Sequence, residues 1–365
     1  MISMNSQRNS YKCWSDLKGQ RLYVGWPYIV DDEKRDEVRL AVRSISDRKF
    51  HPEEKCWSIP SAQAITLHSL LETTYPPLAQ AIFDNDDVKQ DIEMSIRRVE
   101  MSGATTLSDE QMAVISQRID DRIPPDLELY PFQKIAVAFA EAGGGMCLLG
   151  DEMGSGKGIE SLAYAAINRR LRPMIIVCPA NIKYNWVNEV SKWLPEEEIQ
   201  IINSGKDEVK FSAITVINYA LLHKKVDDLI HIGPRLCIID ECHRIKREKS
   251  LRSQATMELA SVCKSVLALS GTAISNRPAE FFNVLNMLRP EQFPSRWDFL
   301  QRYAGAYHNG FGWDFTGSSN IRELNERTRD VCIRRLKEEV LPELPPKIRT
   351  FLPVHLSKSH RRPYD

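Results

Sequence analysis

The chain has 365 residues, and its 49 Lys and Arg side chains balance 49 Asp and Glu side chains, so its formal net charge is zero. This neutrality excludes a global attraction to nucleic acid or membrane, and any such binding must come from local patches. No apolar run approaches membrane-spanning length, and the start of the chain lacks the layout of a signal peptide. The eight cysteines are scattered singly, which favours a reducing cytoplasm with neither a disulfide framework nor zinc.

The amino-terminal part of the chain predicts a mobile start, a small module and a connector. Residues 1–19 are polar and predicted to be mobile, and residues 20–77 form a small α/β module. Its predicted elements are a strand at Leu22–Trp26, a helix at Asp31–Ile45, a hairpin strand at Phe50–Ile59 and a helix at Ser61–Glu72. Residues 78–125 are charged and helix-prone, and Pro124-Pro125 marks the end of this connector.

Apolar runs of strand length alternate with helical stretches in the next domain, residues 126–350. The predicted strands are Met146–Leu149, Met174–Cys178, Ile214–Ile217, Leu236–Ile239 and Val266–Leu269. The predicted helices are Ile159–Leu171, Ile182–Trp193 and Ser250–Cys263. This alternation indicates an α/β fold, in which helices cover both faces of a parallel sheet. Ligands of such sheets bind beyond the carboxyl ends of the strands.

A glycine-rich loop, residues 150–158, lies between the first of these strands and its helix. Strand, glycine-rich turn and helix together present backbone N–H groups to a polyphosphate, and Lys157 would reach its β- and γ-phosphates. The sequence departs from G-x-x-x-x-G-K-[ST] twice, since Asp151 replaces the first glycine and Gly158 replaces the hydroxyl residue that ligates Mg²⁺. Taken alone, this turn is also compatible with the mere start of a helix. The predicted nucleotide-binding residues of the loop are Asp151, Glu152, Met153, Gly154, Ser155, Gly156, Lys157 and Gly158.

Two acids, Asp240 and Glu241, follow the predicted strand Leu236–Ile239. Nucleotide hydrolysis needs one carboxylate that holds Mg²⁺ and a second that orients or deprotonates the attacking water. Asp240 suits the first role and is the predicted metal ligand, whereas Glu241 suits the second. With Lys157 they are the predicted catalytic residues. The alternative for the pair is an Asp at the start of a helix beside a solvated Glu.

A third polar cluster, formed by Ser270, Gly271 and Thr272, ends the last predicted strand. Its hydroxyls would sense the γ-phosphate and couple it to the other end of the sheet, although a turn that caps a helix is an equally good interpretation. Three polar clusters that follow three strands of one sheet are better evidence for a nucleotide site than any single motif.

In these motifs the chain resembles the Snf-type branch of the superfamily-two DNA-dependent ATPases. The loop of that family reads Asp-Glu-Met-Gly-x-Gly-Lys-Thr, which residues 151–157 fit and Gly158 does not, and Asp240-Glu-Cys-His243 matches its Asp-Glu-x-His box. Further segments that resemble family motifs are Val177–Asn181 with Trp186, Val216–Tyr219, Leu269–Pro278, Gly317–Asn320, Ile333–Lys337 and Leu344–Lys347. The last three look closest to the HepA-related, annealing-helicase branch, and the module at 20–77 resembles the accessory HARP domain of that branch.

The resemblance implies a RecA-like, P-loop lobe that binds ATP and Mg²⁺ and acts on double-stranded or branched DNA, as in DNA repair. It implies that Gln133 contacts the adenine, that His243 links the nucleotide site to Ser270, and that the segment with Asn181 and Lys183 contacts DNA. The predicted location is the cytoplasm or nucleoid, or the nucleus of a eukaryote, and no membrane partner is predicted.

Local basic clusters are the predicted DNA contacts of this neutral chain. Arg244, Lys246 and Arg247 lie just past the acids, where they would meet phosphates, and residues 334–337 form a second cluster with Arg334, Arg335 and Lys337. A solvated helix face is the alternative for either run. A set of aromatic residues would stack bases or, as we prefer, pack a helical insertion. The set is Trp297, Phe299, Tyr303, Tyr307, Phe311, Trp313 and Phe315.

Members of the resembled family carry two lobes with ATP between them, and the second lobe supplies arginines to the transferring phosphate. Residues 351–365 are predicted to be the start of a missing second lobe or a tail. With Gly158, this predicts binding of Mg·ATP with slow hydrolysis or none, even with DNA, and stronger metal-dependent binding in Gly158→Thr. The alternative functions are a catalytically inactive nucleotide- or DNA-binding module and one half of a split enzyme completed by another chain.

Overall fold

The computed structural model describes residues 12–15, 21–26, 29, 31–45, 48–60, 63–83, 86–272, 274, 277–308, 310 and 312–345. The predictions for residues 351–365, Phe311 and Lys347 therefore lie outside the described residues. Within the described ranges, no helix is both long and apolar enough to cross a bilayer.

The amino-terminal module is a small antiparallel sheet with two helices. Its strands are β1 (Lys12–Ser15), β2 (Arg21–Gly25), β3 (Lys49–His51) and β4 (Cys56–Pro60), in the order β1-β2-β4-β3. Helices α1 (Asp32–Ser44) and α2 (Ala64–Thr74) enclose a core with this sheet, to which Leu22, Val38, Ile59 and Leu67 contribute. The prediction for residues 1–19 did not include β1, because the pairing with β2 is a tertiary contact that the polar sequence does not signal.

Two helices form the connector: α4 (Asp86–Met101) and α5 (Asp109–Asp120). Helix α3 (Pro76–Phe83) packs on the amino-terminal module, to whose core Leu78, Ala79 and Ile82 contribute, so the predicted boundary after residue 77 falls within α3. Helix α5 begins with a capping box, in which the Ser108 hydroxyl accepts from the N–H of Gln111 at 3.3 Å and the Gln111 side chain accepts from the N–H of Ser108. Helix α4 packs against α6 (Pro131–Ala142), the first helix of the large domain, so the connector is joined to that domain by side-chain packing.

Seven parallel strands form the sheet of the large domain. They are β5 (Met146–Leu149), β6 (Met174–Cys178), β7 (Ile199–Ile201), β8 (Ile214–Asn218), β9 (Leu236–Ile239), β10 (Ser265–Leu269) and β13 (Cys332–Ile333). Their order across the sheet is β13-β5-β10-β9-β6-β8-β7. The five predicted strands are confirmed. The edge strands β7 and β13 were not predicted, because three and two residues are too few to show a period.

Helices cover both faces of this sheet, which confirms the predicted fold class. On one face Cys147 and Leu149 of β5 join a core with α6, α7 (Lys157–Ile167) and α8 (Lys183–Trp193). On the other face Met146 and Leu148 join a core with α9 (Tyr219–His231), α10 (Leu251–Val262) and α11 (Phe282–Leu288). Successive side chains of a strand point to opposite faces, so a continuous apolar run fills both cores.

The remaining elements follow the last central strand and carry the predicted aromatic set. They are α12 (Arg296–Tyr303), β11 (Tyr307–His308), β12 (Trp313–Asp314), α13 (Ile321–Thr328) and α14 (Lys337–Val340). Phe299 and Tyr303 are buried, with ring centroids 5.1 Å apart, and pack this insertion as preferred from the sequence. Trp297 and Trp313 meet edge to face at 5.0 Å but remain partly exposed.

Candidate functional site

Three polar segments meet at the carboxyl edge of the sheet. The glycine-rich loop follows β5, Asp240 follows β9 and Ser270 follows β10. Strand β10 pairs with both β5 and β9, so the three segments leave adjacent strands at the same edge. This is the position at which open parallel sheets bind ligands.

The backbone of the loop requires its glycines. Gly154 and Gly156 have φ angles of 79° and 93°, in the left-handed region that side chains disfavour. A Cβ atom at Gly156 would lie only 2.3 Å from Nε2 of Gln133. Gly156 also precedes the first turn of α7, whose free N–H groups face the loop. The loop thus has the close-packed, N–H-rich shape that suits a polyphosphate.

Lys157 binds the backbone of its own loop. Its Nζ donates to the carbonyl oxygens of Asp151 at 2.8 Å and Glu152 at 3.1 Å. Burial lowers the pKa of this ammonium, and the surrounding acids, with Glu160 first among them, counteract that shift. An incoming phosphate would compete with the two carbonyls for the ammonium.

Gln133 braces the loop from α6. Its Nε2 donates to the carbonyl of Ser155 at 2.8 Å, and its Oε1 accepts from the N–H of Tyr130 at 3.0 Å. Both ends of the amide are therefore engaged in shaping the loop. The predicted contact with adenine stays a prediction.

The side chain of Asp151 is buried and pairs with Arg335, which lies just beyond β13. Nε of Arg335 lies 3.0 Å from Oδ2 of Asp151, its Nη2 contacts the same oxygen, and its backbone N–H donates to Oδ1 at 2.8 Å. The guanidinium also donates to the carbonyl of Phe132 at 2.8 Å. Arg335 is 1% exposed, so the predicted DNA-binding cluster of residues 334–337 is wrong for this residue.

The neighbours of Arg335 also hold the loop. Arg334 donates to the carbonyl of Gly150, and the backbone N–H of Glu152 donates to the carbonyl of Arg335 at 3.1 Å. The backbone N–H of Lys337 donates to the carboxylate of Glu152 at 3.0 Å. We call residues 333–337 the collar of the loop. This role was not predictable from the sequence, because basic residues in a row resemble a solvated or DNA-binding face.

Glu160, on the first turns of α7, is a buried acid that the sequence analysis missed. It is 0% exposed, and neither carboxylate oxygen has a hydrogen-bond partner among the described residues. Burial, followed by the charge of Asp151, holds its pKa well above its usual range. The nearest cation is Nη2 of Arg335, 3.9 Å away. Its spacing was a usable signal, since Glu160 lies on the same helical stripe as Ala163, Tyr164 and Ile167.

Asp240 has the chemistry of a magnesium ligand. Its Oδ1 accepts from the N–H of Glu241 at 2.8 Å, and its Oδ2 accepts from the indole N–H of Trp186 at 2.8 Å. Burial raises the pKa of this carboxyl, and the hydrogen bond from Trp186 opposes that shift. Mg²⁺ is bound by one or two carboxylates together with phosphate oxygens and water, and Asp240, at the same edge as the loop, fits this pattern.

Glu241 is partly buried and lies beside His243. It adopts the left-handed backbone conformation, with φ of 51°, and its Oε2 lies 3.3 Å from Nδ1 of His243. This contact holds the pKa of Glu241 below its usual range. The predicted link from His243 to Ser270 stays a prediction, since the described contact of His243 is with Glu241.

The segment after β10 touches the loop directly. A Cβ atom at Gly271 would lie 2.4 Å from Cγ of Met153, so only glycine allows this approach. The hydroxyl of Ser270, which is buried, accepts from the N–H of Thr272 at 3.2 Å. The loop and the predicted coupling motif are therefore in contact.

Comparison with known proteins identifies the family. The family described as "SNF2-related domain" matches residues 89–365. The chain belongs to this family. The SNF2-related domain here has a solved structural relative, the Sulfolobus solfataricus SWI2/SNF2 ATPase core in complex with dsDNA, with a TM-score of 0.53 and 25% identity over 61% of this chain and 48% of that chain. The RecA-like sheet expected from the sequence is thereby confirmed.

Curated relatives of this SNF2-related domain include annealing helicases. DNA annealing helicase and endonuclease ZRANB3 of Bos taurus is 36% identical over 65% of this chain and 23% of its own length. SWI/SNF-related matrix-associated actin-dependent regulator of chromatin subfamily A-like protein 1 of Xenopus tropicalis is 37% identical over 69% of this chain and 27% of its own length. Its Bos taurus counterpart is 31% identical over 91% of this chain. The chain thus spans about a quarter to a third of these relatives.

The predicted DNA-contacting residues of the SNF2-related domain differ in their exposure to solvent. Asn181, Arg244 and Arg247 are exposed at the carboxyl edge, and Lys246, also exposed, pairs with Glu280 at 2.9 Å. Lys183 is a correction: it is 5% exposed, and its Nζ donates to the carbonyl of Ile202 at 2.9 Å. From the sequence alone, a lysine in the first turn of a helix is expected to lie on the surface, because the neighbouring strand is not yet located.

Trp186 is the second correction to the predicted DNA segment. It is 6% exposed and turned toward Asp240 rather than toward solvent. A signal for this burial was present in the sequence, since Trp186, Val190 and Trp193 recur at the spacing of one helix face.

Proposed function

We propose that this SNF2-related domain binds Mg·ATP at residues 151–158 and hydrolyses it in response to double-stranded or branched DNA, as part of an annealing-helicase-like translocase. The observation that carries the proposal is the meeting of the loop, the acids and the Ser270 segment at one edge of the sheet. Membership of the SNF2-related family favours this function over an inactive binding module.

Each residue would have a defined task in the reaction. The N–H groups of the loop and the ammonium of Lys157 would hold the β- and γ-phosphates, and Asp240 would hold Mg²⁺, which neutralises charge on the phosphates. Glu241 would orient the attacking water and accept its proton. The contact of Gly271 with Met153 would transmit a change in the conformation of the loop to the segment that follows β10.

Duplex DNA would bind across the carboxyl edge through its phosphates. Asn181, Arg244 and Arg247 are the exposed groups that support this surface. Such contacts position the protein on the backbone and carry little sequence preference. The solved relative in complex with dsDNA and the curated annealing helicases support DNA as the partner.

The experiment that tests the nucleotide site is a calorimetric titration with Mg·ATPγS, a slowly hydrolysed ATP analogue. Lys157→Ala is expected to weaken binding at least about tenfold, because a charge-assisted hydrogen bond to phosphate is lost. Lys264→Ala is the control, since this exposed lysine immediately precedes β10 at the opposite edge of the sheet. Equal affinity in wild type and Lys157→Ala would refute the assignment.

A further inference from the structure

The side chain of Trp186 lies between the end of the glycine-rich loop and Asp240. Its indole N–H donates to Oδ2 of Asp240 at 2.8 Å. Its ring covers Gly158, the residue after the loop lysine, because a Cβ atom placed there would lie 3.4 Å from Cη2 of the indole. Helix α8 thus supplies a wall between the start of α7 and the carboxyl edge of β9.

The hydrogen bond also fixes the orientation of Asp240. Each oxygen of this carboxylate accepts one N–H, from Trp186 and from Glu241, and each keeps a lone pair for a cation. Partners of this kind orient metal ligands before the metal arrives, and their removal weakens metal binding.

We propose that Trp186 is a positioning residue for the magnesium ligand Asp240. The inference rests on the proposed function, since it assumes that Mg·ATP binds at this loop. In this arrangement the domain holds Mg²⁺ through an acid fixed by an indole, without a hydroxyl ligand at residue 158.

The test compares the affinity for ATPγS with Mg²⁺ and with EDTA, which isolates the contribution of the metal. Trp186→Phe keeps an aromatic ring but removes the N–H. It is expected to lower the gain in affinity from Mg²⁺ about tenfold, the usual worth of a hydrogen bond to a charged group, and to leave the affinity in EDTA unchanged. A merely structural role would lower both affinities together, and that result, or an unchanged gain, would overturn the proposal.

Trp193→Phe is the matched control on the same helix. Trp193 is 4% exposed, and its indole N–H donates to Oε2 of Glu189 at 3.2 Å, within α8. Loss of this N–H is expected to leave the gain in ATPγS affinity from Mg²⁺ at the wild-type value. If Lys157→Ala binds ATPγS normally, the proposed function fails. If Lys157→Ala loses binding and Trp186→Phe keeps the full gain, only the present inference fails.

Discussion

Arg335 and Asp151 form a fully buried ion pair that ties the collar after β13 to the first residues of the glycine-rich loop. Their side chains are 1% and 0% exposed, and the partners are 184 residues apart in the sequence. The shape of the loop therefore depends on a segment that the chain reaches only after completing the other strands of the sheet.

We predict that Arg335→Ala destabilises the protein by about 3 kcal/mol or more, because it leaves the carboxylate of Asp151 buried without its cation. Urea unfolding measures this change. The control is Arg322→Ala, whose ion pair with Glu326 is 94% and 61% exposed, and it is expected to cost less than about 1 kcal/mol. Equal losses in the two variants would show that burial of the pair does not matter as argued.

A second prediction concerns the pH dependence of stability. The pKa of Glu160 is raised in the folded state, chiefly by burial. A raised pKa means that the folded state prefers the protonated carboxyl. The stability that protonated Glu160 allows is therefore fully present below the pKa of the unfolded state, about 4.3, and is lost as the pH rises above that value. Glu160→Gln is therefore expected to raise the melting temperature at pH 8 and to change it little near pH 4.

The control for this pH series is Glu326→Gln, at an exposed carboxylate on α13. Its melting temperature should follow that of the wild type at every pH. If the melting temperature of Glu160→Gln parallels that of the wild type over the whole pH range, deprotonation of Glu160 does not lower the stability of the folded state.

The central sheet and the polar segments at its carboxyl edge were predictable because each is encoded locally. Five apolar runs are long enough to indicate buried strands, and the loop and Asp240 each follow directly from one of them. Since parallel strands place their carboxyl ends at one edge, the meeting of these polar segments followed from the order of elements alone.

What the sequence could not reveal depends on contacts between distant segments. The strand β13 has two residues and exists because it pairs with β5. The burial of Lys183 depends on Ile202, and that of Arg335 depends on Asp151. A cation is exposed by default, so its partner must be located before the residue can be recognised as part of the core.

A third prediction concerns duplex DNA. Binding should tolerate any sequence and weaken steeply with salt, and Arg244→Ala and Arg247→Ala should each reduce the slope of log K against log salt by about 0.9. Fluorescence anisotropy at a series of salt concentrations measures the slopes. Lys264→Ala, at the amino edge of the sheet, should leave the slope unchanged. A slope that responds to Lys264 but not to the two arginines would place DNA elsewhere on the domain.

Single-turnover hydrolysis, with protein in excess over labelled ATP, measures whether Glu241 and its neighbours form an ATPase site. We expect slow conversion of ATP by the wild type that duplex DNA accelerates, and loss of conversion in Glu241→Gln, which keeps its affinity for Mg·ATP. Conversion by Glu241→Gln at the wild-type rate, or no conversion by the wild type with DNA present, would show that these residues are not an ATPase site.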